Sequence, residues 1–308
     1  VVKKPILPET GSGPTLRELR GDFRTSLVAR NLSPRTITSY LEALDRLVAY
    51  LDAQAMPAEI DAIRRQHVEA FMGDLAARHK AATAANRYAG LRAFFLWCEE
   101  EELVEASPMA KMKKPMIPEE RPAVLTDAEV AQLRKACEGS AYDDQRDAAI
   151  LAVFLSTGAR LAEVAALDLA DYDRDRLVVT IREGKGRRSR QVTIAPEDAR
   201  LLNRYLRART RHPAAGNAGL WLGQRGRMTP SGIAQVIQSR GAEIPGMHPH
   251  RLRHHRAHQL MASGMTEGNI MVLMGWRSRE MLGRYASALA NDRALDAARE
   301  FEARQRQR

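Results

Sequence analysis

The chain of 308 residues carries 48 Lys and Arg against 38 Asp and Glu, a formal charge of +10 and an isoelectric point near 9.9, which point to a polyanionic partner. Its length suffices for two domains with separate cores, while 5% aromatic residues are too few for a stacking platform along single strands, so duplex backbone contact fits better. Two cysteines without a CxxC, no membrane-length apolar run and no secretory pattern argue against a disulfide scaffold or a membrane protein, and the expected compartment is a reducing cytosol.

Residues 1–14, rich in Pro, Gly and Thr, read as a flexible tail, and the start at Val1 rather than Met leaves room for an upstream domain. Ser33 is placed to cap, and Pro34 to open, a helix with Ile37, Leu41, Leu44, Val48 and Leu51 on one face. A second helix is expected near residues 67–78. A third spans about 83–102, with Leu91, Phe94, Phe95 and Trp97 before a solvated run of glutamates at 99–102. Residues 15–106 thus read as an all-helical domain. The first 106 residues hold 14 basic and 15 acidic residues, so the positive excess, 34 against 23, lies in residues 107–308. Residues 107–122, with prolines at 108, 115, 118 and 122 and lysines at 111, 113 and 114, read as a basic linker between domains.

The second domain, residues 123–290, opens on Thr126 and Glu129 at capping-box spacing. Helices are predicted over 126–138 and 143–156 and again from about 159. Residues 177–181 and 191–194, rich in β-branched side chains, flank Gly184-Lys185-Gly186 and read as a hairpin tipped by Lys185. Helical patterns resume over 196–211, 230–240, 249–263 and 266–274. A terminal helix within 291–308 carries Leu295, Ala298 and Phe301 on one side and packs either in cis or on another copy of the chain.

Six residues of the basic part fit one chemical role, namely Arg160, Lys185, His250, Arg253, Trp276 and Tyr285. They supply cations, hydrogen-bond donors and a phenol, a set suited to attack on a phosphodiester with neither metal nor ATP. Each alone has a plainer reading. Tyr285 is a packed ring, Lys185 a turn lysine, and Arg160 an ion pair with Glu163 three residues on. His250 and Arg253 share a face near the start of a helix, where an anion is favoured and where both are also simply solvated. Other motifs fail. The acidic run from Asp171 to Asp175 begins like a calcium loop but has Arg176 and Arg182 at the glycine and bidentate-acid positions. Gly186 after Lys185 rules out a Walker loop, and the crowded histidines 248, 250, 254, 255 and 258 lack an HExxH and sit among arginines, so no metal and no cofactor is expected.

Taken together, these segments resemble the tyrosine recombinase or phage integrase family. The stretch from Thr157 through Arg160 to Glu163 is similar to its first arginine box, Gly184-Lys185-Gly186 to its hairpin lysine, His250-Arg251-Leu252-Arg253-His254 to its H-x-L-R-H box, and Gly275-Trp276 with Tyr285 to its last segment. Trp276 stands where many members have histidine, and His255 where a small hydroxyl residue is usual. The run through Arg87, Leu91, Phe94, Phe95 and Trp97 resembles the end of the family's helical core-binding domain.

The resemblance implies a mainly α, two-domain clamp on duplex DNA: a SAM-like core-binding domain plus an α-rich catalytic domain with a small antiparallel sheet. It implies that Tyr285 attacks to give a 3′-phosphotyrosine, that Arg160, Arg253 and Trp276 stabilise the transition state, that His250 moves a proton, that Lys185 protonates the leaving 5′-oxygen, and that Glu163 supports Arg160. Expected DNA contacts are Arg87, Lys111, Lys113, Lys114, Arg187, Arg188 and Arg251. Expected partners are recombination sites, three further protomers and accessory DNA-bending or directionality proteins. The expected role is integration or excision of a phage or mobile element. An Xer-like dimer resolvase, a type IB topoisomerase-like relaxase and a non-catalytic DNA-binding protein are the alternatives.

Overall fold

Helix starts need partners for their first N–H groups, and the sequence supplies them at several of these positions. In the computed structural model, which describes residues 12–117, 124–182 and 189–283, Thr15 accepts from the Glu18 N–H at 3.3 Å while Glu18 accepts from the Thr15 N–H at 2.8 Å, opening α1 (Leu16–Ala29). Ser33 accepts from the Thr36 N–H at 3.1 Å, and Pro34 occupies the first turn of α2 (Pro34–Ala53). α3 (Arg65–Arg78) and α4 (Ala81–Glu100) follow. The tail through residue 11 and the expected terminal helix at 291–308 lie outside the described residues.

The chain divides into two units, Val1–Glu119 and Glu120–Arg308. In the first, apolar stripes of all four helices meet in one core, with Leu16, Leu44, Leu47, Phe94 and Phe95 wholly buried. Burying side chains of this size contributes roughly 1.5–3 kcal/mol each. Phe23 and Phe94 meet edge to face at 5.2 Å. A methyl group on Gly90 would lie 2.9 Å from Ala43 Cβ and 3.2 Å from Tyr40 Cα, so glycine there lets α4 cross α2 closely. The segment after residue 107, read from its prolines as linker, begins docked on this unit instead. Met109 is buried in the core, and Tyr88 Oη donates to the Met112 carbonyl at 2.6 Å. Lys111, Lys113 and Lys114 are exposed.

The second unit starts at α5 (Asp127–Ala136), whose capping box pairs Thr126 with Glu129. α6 (Tyr142–Thr157) is its central element, buried continuously from residue 149 to 157, and leads into α7 (Leu161–Ala166). β1 (Tyr172–Asp173), β2 (Val178–Ile181) and β3 (Arg190–Thr193) form an antiparallel sheet in that order, pairing Val179 with Val192 and Ile181 with Arg190. α8 (Pro196–Arg209) packs along α6, and a short hairpin of β4 (Leu222–Gly223) and β5 (Gly226–Arg227) follows. α9 (Pro230–Arg240), α10 (Pro249–Ala262) and α11 (Glu267–Met274) complete the described part. The buried guanidinium of Arg209 fixes the loop before β4 by donating to the Ala215, Gly219 and Leu220 carbonyls, and Trp221 Nε1 donates to Val164 O at 2.8 Å. β1, β4 and β5 carry no sequence signal because two-residue strands leave no alternation to read.

The architecture is mainly α with small antiparallel sheets. No helix among the described residues is long and apolar enough to cross a membrane, and no group of three or more His, Cys, Asp or Glu among them could hold a metal ion.

Candidate active site

α6 ends at Gly158 in the left-handed region, φ 59°, a conformation that costs other residues roughly 1–2 kcal/mol. A Cβ at Gly158 would also lie 3.0 Å from Met274 Sδ, so the turn sits directly against the end of α11. Two residues later the chain enters α7 with Arg160 at its N-cap. Glu163 accepts the Arg160 N–H at 2.8 Å and Arg160 Nη1 at 2.8 Å. The i,i+3 spacing legible in the sequence is therefore a paired contact that fixes both backbone and side chain.

α11 also ends on a left-handed glycine, Gly275 with φ 61°. Its terminal carbonyls carry the negative end of the helix dipole and need donors. Three arginines from three elements supply them. Arg190 Nε donates to Leu273 O at 2.9 Å, Arg253 Nη2 to Met274 O at 2.6 Å, and Arg160 Nη2 to Gly275 O at 3.2 Å. Arg253, 1% exposed, also donates through Nη1 to Gly158 O at 2.7 Å. The ends of α6 and α11 thus converge on one guanidinium. Its Cζ lies 5.8 Å from the Trp276 ring centroid, and Trp276 is itself buried. Arg160 keeps 45% of its side chain exposed, which leaves it reachable by an anion from solvent.

His250 stands exposed on the first turn of α10, one turn before Arg253. Desolvation by its neighbours, then the charges of Arg253, His248 and Arg160, push its pKa below the ordinary histidine range. Arg160 and Arg253 therefore both act electrostatically on His250. His254, one turn further along, sets its ring edge-on to His250 at 4.2 Å. Burial, then His250, His248 and Arg253, push His254 down to about 4. For Glu163, burial alone would raise the pKa, but hydrogen bonds from Arg190 and from the Arg160 N–H, with the charge of Arg190, bring it down to about 2.

The structure brings Arg160, Glu163, His250, Arg253 and Trp276 together. Lys185, Arg187, Arg188 and Tyr285 lie outside the described residues. Two expected DNA contacts are engaged within their own units. Arg251 is buried, donating to Pro245 O at 2.8 Å and Glu129 Oε1 at 3.2 Å. Arg87, 13% exposed at its side chain, donates to Ser39 O at 3.2 Å and Glu42 Oε2 at 2.9 Å. Sequence reasoning missed Arg190. A signal existed: side chains alternate along a strand, so buried Val192 and Ile194 place Arg190 on the same inward face.

Residues 123–292 match the phage integrase family and residues 19–105 match the phage integrase N-terminal SAM-like domain. The chain belongs to this family of tyrosine recombinases and is an enzyme of site-specific DNA recombination. Among curated proteins it is similar to the tyrosine recombinase XerC of Syntrophus aciditrophicus, 30% identical over 280 residues that cover 85% of this chain and 90% of that one. Among solved structures it is similar in fold to the XerH site-specific recombinase bound to palindromic difH substrate in a post-cleavage complex, with a TM-score of 0.71, 20% identity, and coverage of 93% of this chain and 84% of that one. A lambda integrase tetramer bound to a Holliday junction gives a TM-score of 0.68 at 15% identity, covering 86% of this chain and 78% of that one.

Proposed function

We infer that Arg160, Arg253 and Trp276 bind the scissile phosphate of duplex DNA and stabilise its pentacovalent transition state, with Glu163 holding Arg160. The observation that carries this is the seating of two guanidiniums from different elements on consecutive carbonyls, Met274 and Gly275. Donors fixed before the reaction neutralise developing charge without reorganising. Tyr285 is the nucleophile, giving a 3′-phosphotyrosine and a free 5′-hydroxyl, and Lys185 is the acid that protonates the departing 5′-oxygen. His250 is a suitable proton acceptor for the tyrosine hydroxyl. Burial and the neighbouring cations lower its pKa, which favours the neutral, proton-accepting ring. The hydroxyl of a partner strand then attacks the phosphotyrosine, so bond energy is retained without ATP.

DNA backbone contact is assigned to Lys111, Lys113, Lys114, Arg187 and Arg188. In the first unit a polar groove of about 480 Å³ between α2 and α4, lined by Arg35, Thr38, Ser39, Thr83, Asn86 and the Arg87–Glu42 pair, supports a role in gripping the duplex. Buried Arg251 acts as a brace for α10 rather than a direct contact. Assembly as four protomers on two duplexes is supported by the tetrameric lambda integrase neighbour, with accessory DNA-bending proteins as further partners and the bacterial cytosol as the setting. The near full-length likeness to XerC favours chromosome or plasmid dimer resolution over integration of a mobile element as the biological role. The test is incubation with nicked candidate recombination-site DNA. Wild-type protein should form a detergent-resistant protein–DNA adduct, and Tyr285→Phe should bind the same DNA without forming one. An equal adduct yield from the Phe variant would remove the nucleophile assignment.

A further inference from the structure

Arg190 belongs to none of the groups that act on the phosphate, yet it ties together elements that carry them. It sits at the first residue of β3, with its side chain only 6% exposed. Its guanidinium forks onto both oxygens of Glu163, Nη2 to Oε2 at 2.7 Å and Nη1 to Oε1 at 3.2 Å. The same two oxygens receive the Arg160 N–H and Nη1. Arg190 Nε points a third way, onto Leu273 O, one residue before the carbonyl that holds Arg253. One planar side chain thus joins three elements: the strand that follows the Lys185 hairpin, the turn that carries Arg160, and the end of α11. A rigid fork can satisfy three such directions at once, whereas a lysine ammonium on a flexible stem cannot reproduce the planar two-toothed grip.

We propose that Arg190 is a positioning residue of the recombination site, acting through Glu163 to fix the guanidinium of Arg160 in its phosphate-binding pose. Glu163 has two cationic partners among the described residues, and of these Arg160 is the one open to solvent and hence to DNA. With Arg190 removed, the carboxylate keeps only its pairing to Arg160. Glu163 then loses its brace from β3, and the Arg160 guanidinium that it holds shifts off the line set by Gly275 O. Misplacement of a positioning contact by about 1 Å costs on the order of 10²-fold in rate. The effect belongs to the bound complex, because the buried Arg190 side chain is engaged with Glu163 and the Leu273 carbonyl. It therefore lowers the chemical step and leaves binding alone.

The proposal rests on the assignment of Arg160 to the phosphate, and the test separates the two. A nicked duplex is first selected from a random-sequence pool by covalent capture on wild-type protein. Single-turnover adduct formation is then followed for wild type, Arg190→Gln, Arg190→Lys, Arg160→Gln and the Arg160→Gln/Arg190→Gln double variant, with thermal melting in parallel. The expected result is a rate about 10²-fold lower for Arg190→Gln at saturating DNA, with the half-saturating concentration within about twofold of wild type. Arg190→Lys should fall between the two, and the double variant should be no slower than Arg160→Gln alone. A wild-type rate in Arg190→Gln, multiplication of the two single defects, or weakened DNA binding with the rate intact would each overturn the proposal. If Arg190→Gln does not melt as a folded protein, Arg190→Lys and its double variant with Arg160→Gln decide by the same criteria. Failure of wild-type protein to capture any DNA, or an unimpaired Arg160→Gln, would instead remove the phosphate assignment itself and this proposal with it.

Discussion

Replacing Glu163 by glutamine isolates the charge at the centre of the site while keeping its shape. The carboxylate is 11% exposed and accepts from two arginines, one of them buried. Its pKa falls from the 4.5 of an ordinary glutamate to about 2, which corresponds to about 3 kcal/mol of stabilisation at neutral pH. Removing one partner of a buried pair costs a similar amount, roughly 3–5 kcal/mol, because the other charge is left uncompensated. Glu163→Gln should therefore lose about 3 kcal/mol at pH 7 in chemical denaturation followed by tryptophan fluorescence. The pH dependence carries the sharper signature. A folded pKa below the unfolded one means that the stabilisation is complete above about pH 4.5 and is lost as pH falls through about 2. The gap between wild type and variant should close over that window. A gap that stays constant with pH, or one below about 1 kcal/mol at pH 7, would show that the carboxylate is not held as an ion by its two arginines.

Three further outcomes follow from the same structure. Gly158→Ala should lower stability by roughly 1–2 kcal/mol from its backbone alone, with more from the contact to Met274, and should slow adduct formation because the Gly158 carbonyl holds Arg253; melting and single-turnover assays check both. His254, with its pKa depressed to about 4, contributes stability that is whole above pH 6.5 and lost as pH falls through about 4; His254→Asn should flatten the denaturation profile across that interval. Exposed Lys113 and Lys114 should each reduce the salt dependence of DNA binding by about one unit of slope when changed to alanine, and an unchanged slope would return them to plain linker.

Local signals in this chain are strong where they act alone. Ser33 with Pro34, and Thr126 with Glu129, announce helix starts by chemistry that needs no tertiary context. The strands on either side of Lys185 show β-branched runs long enough to read. The spacing of Arg160 to Glu163 and of His250 to Arg253 places each pair on one face, and the structure adds what spacing cannot carry: the carbonyls at the end of α11 that bring those pairs to one point. Backbone acceptors have no letter in a sequence, so a site organised around them is legible only as its donors. The same limit explains Arg251 and His255. α10 is buried on several sides, and polar residues that look solvated by composition find internal partners, Arg251 at Glu129 and His255 at the Leu125 carbonyl, 2.9 Å away. The prolines after residue 107 announce a linker, but two methionines dock its first turn on the helical core, a packing contact with no periodicity to betray it.

The cradle for the phosphate is tested most directly by a structure of the protein on cleaved site DNA with vanadate closing the gap between Tyr285 and the 5′-oxygen. Vanadate oxygens within about 2.7–3.2 Å of the Arg160 and Arg253 guanidiniums and the Trp276 indole nitrogen are expected. An oxyanion bound elsewhere, beyond hydrogen-bond reach of Arg253 and with Arg160 turned away, would contradict the assignment of this site.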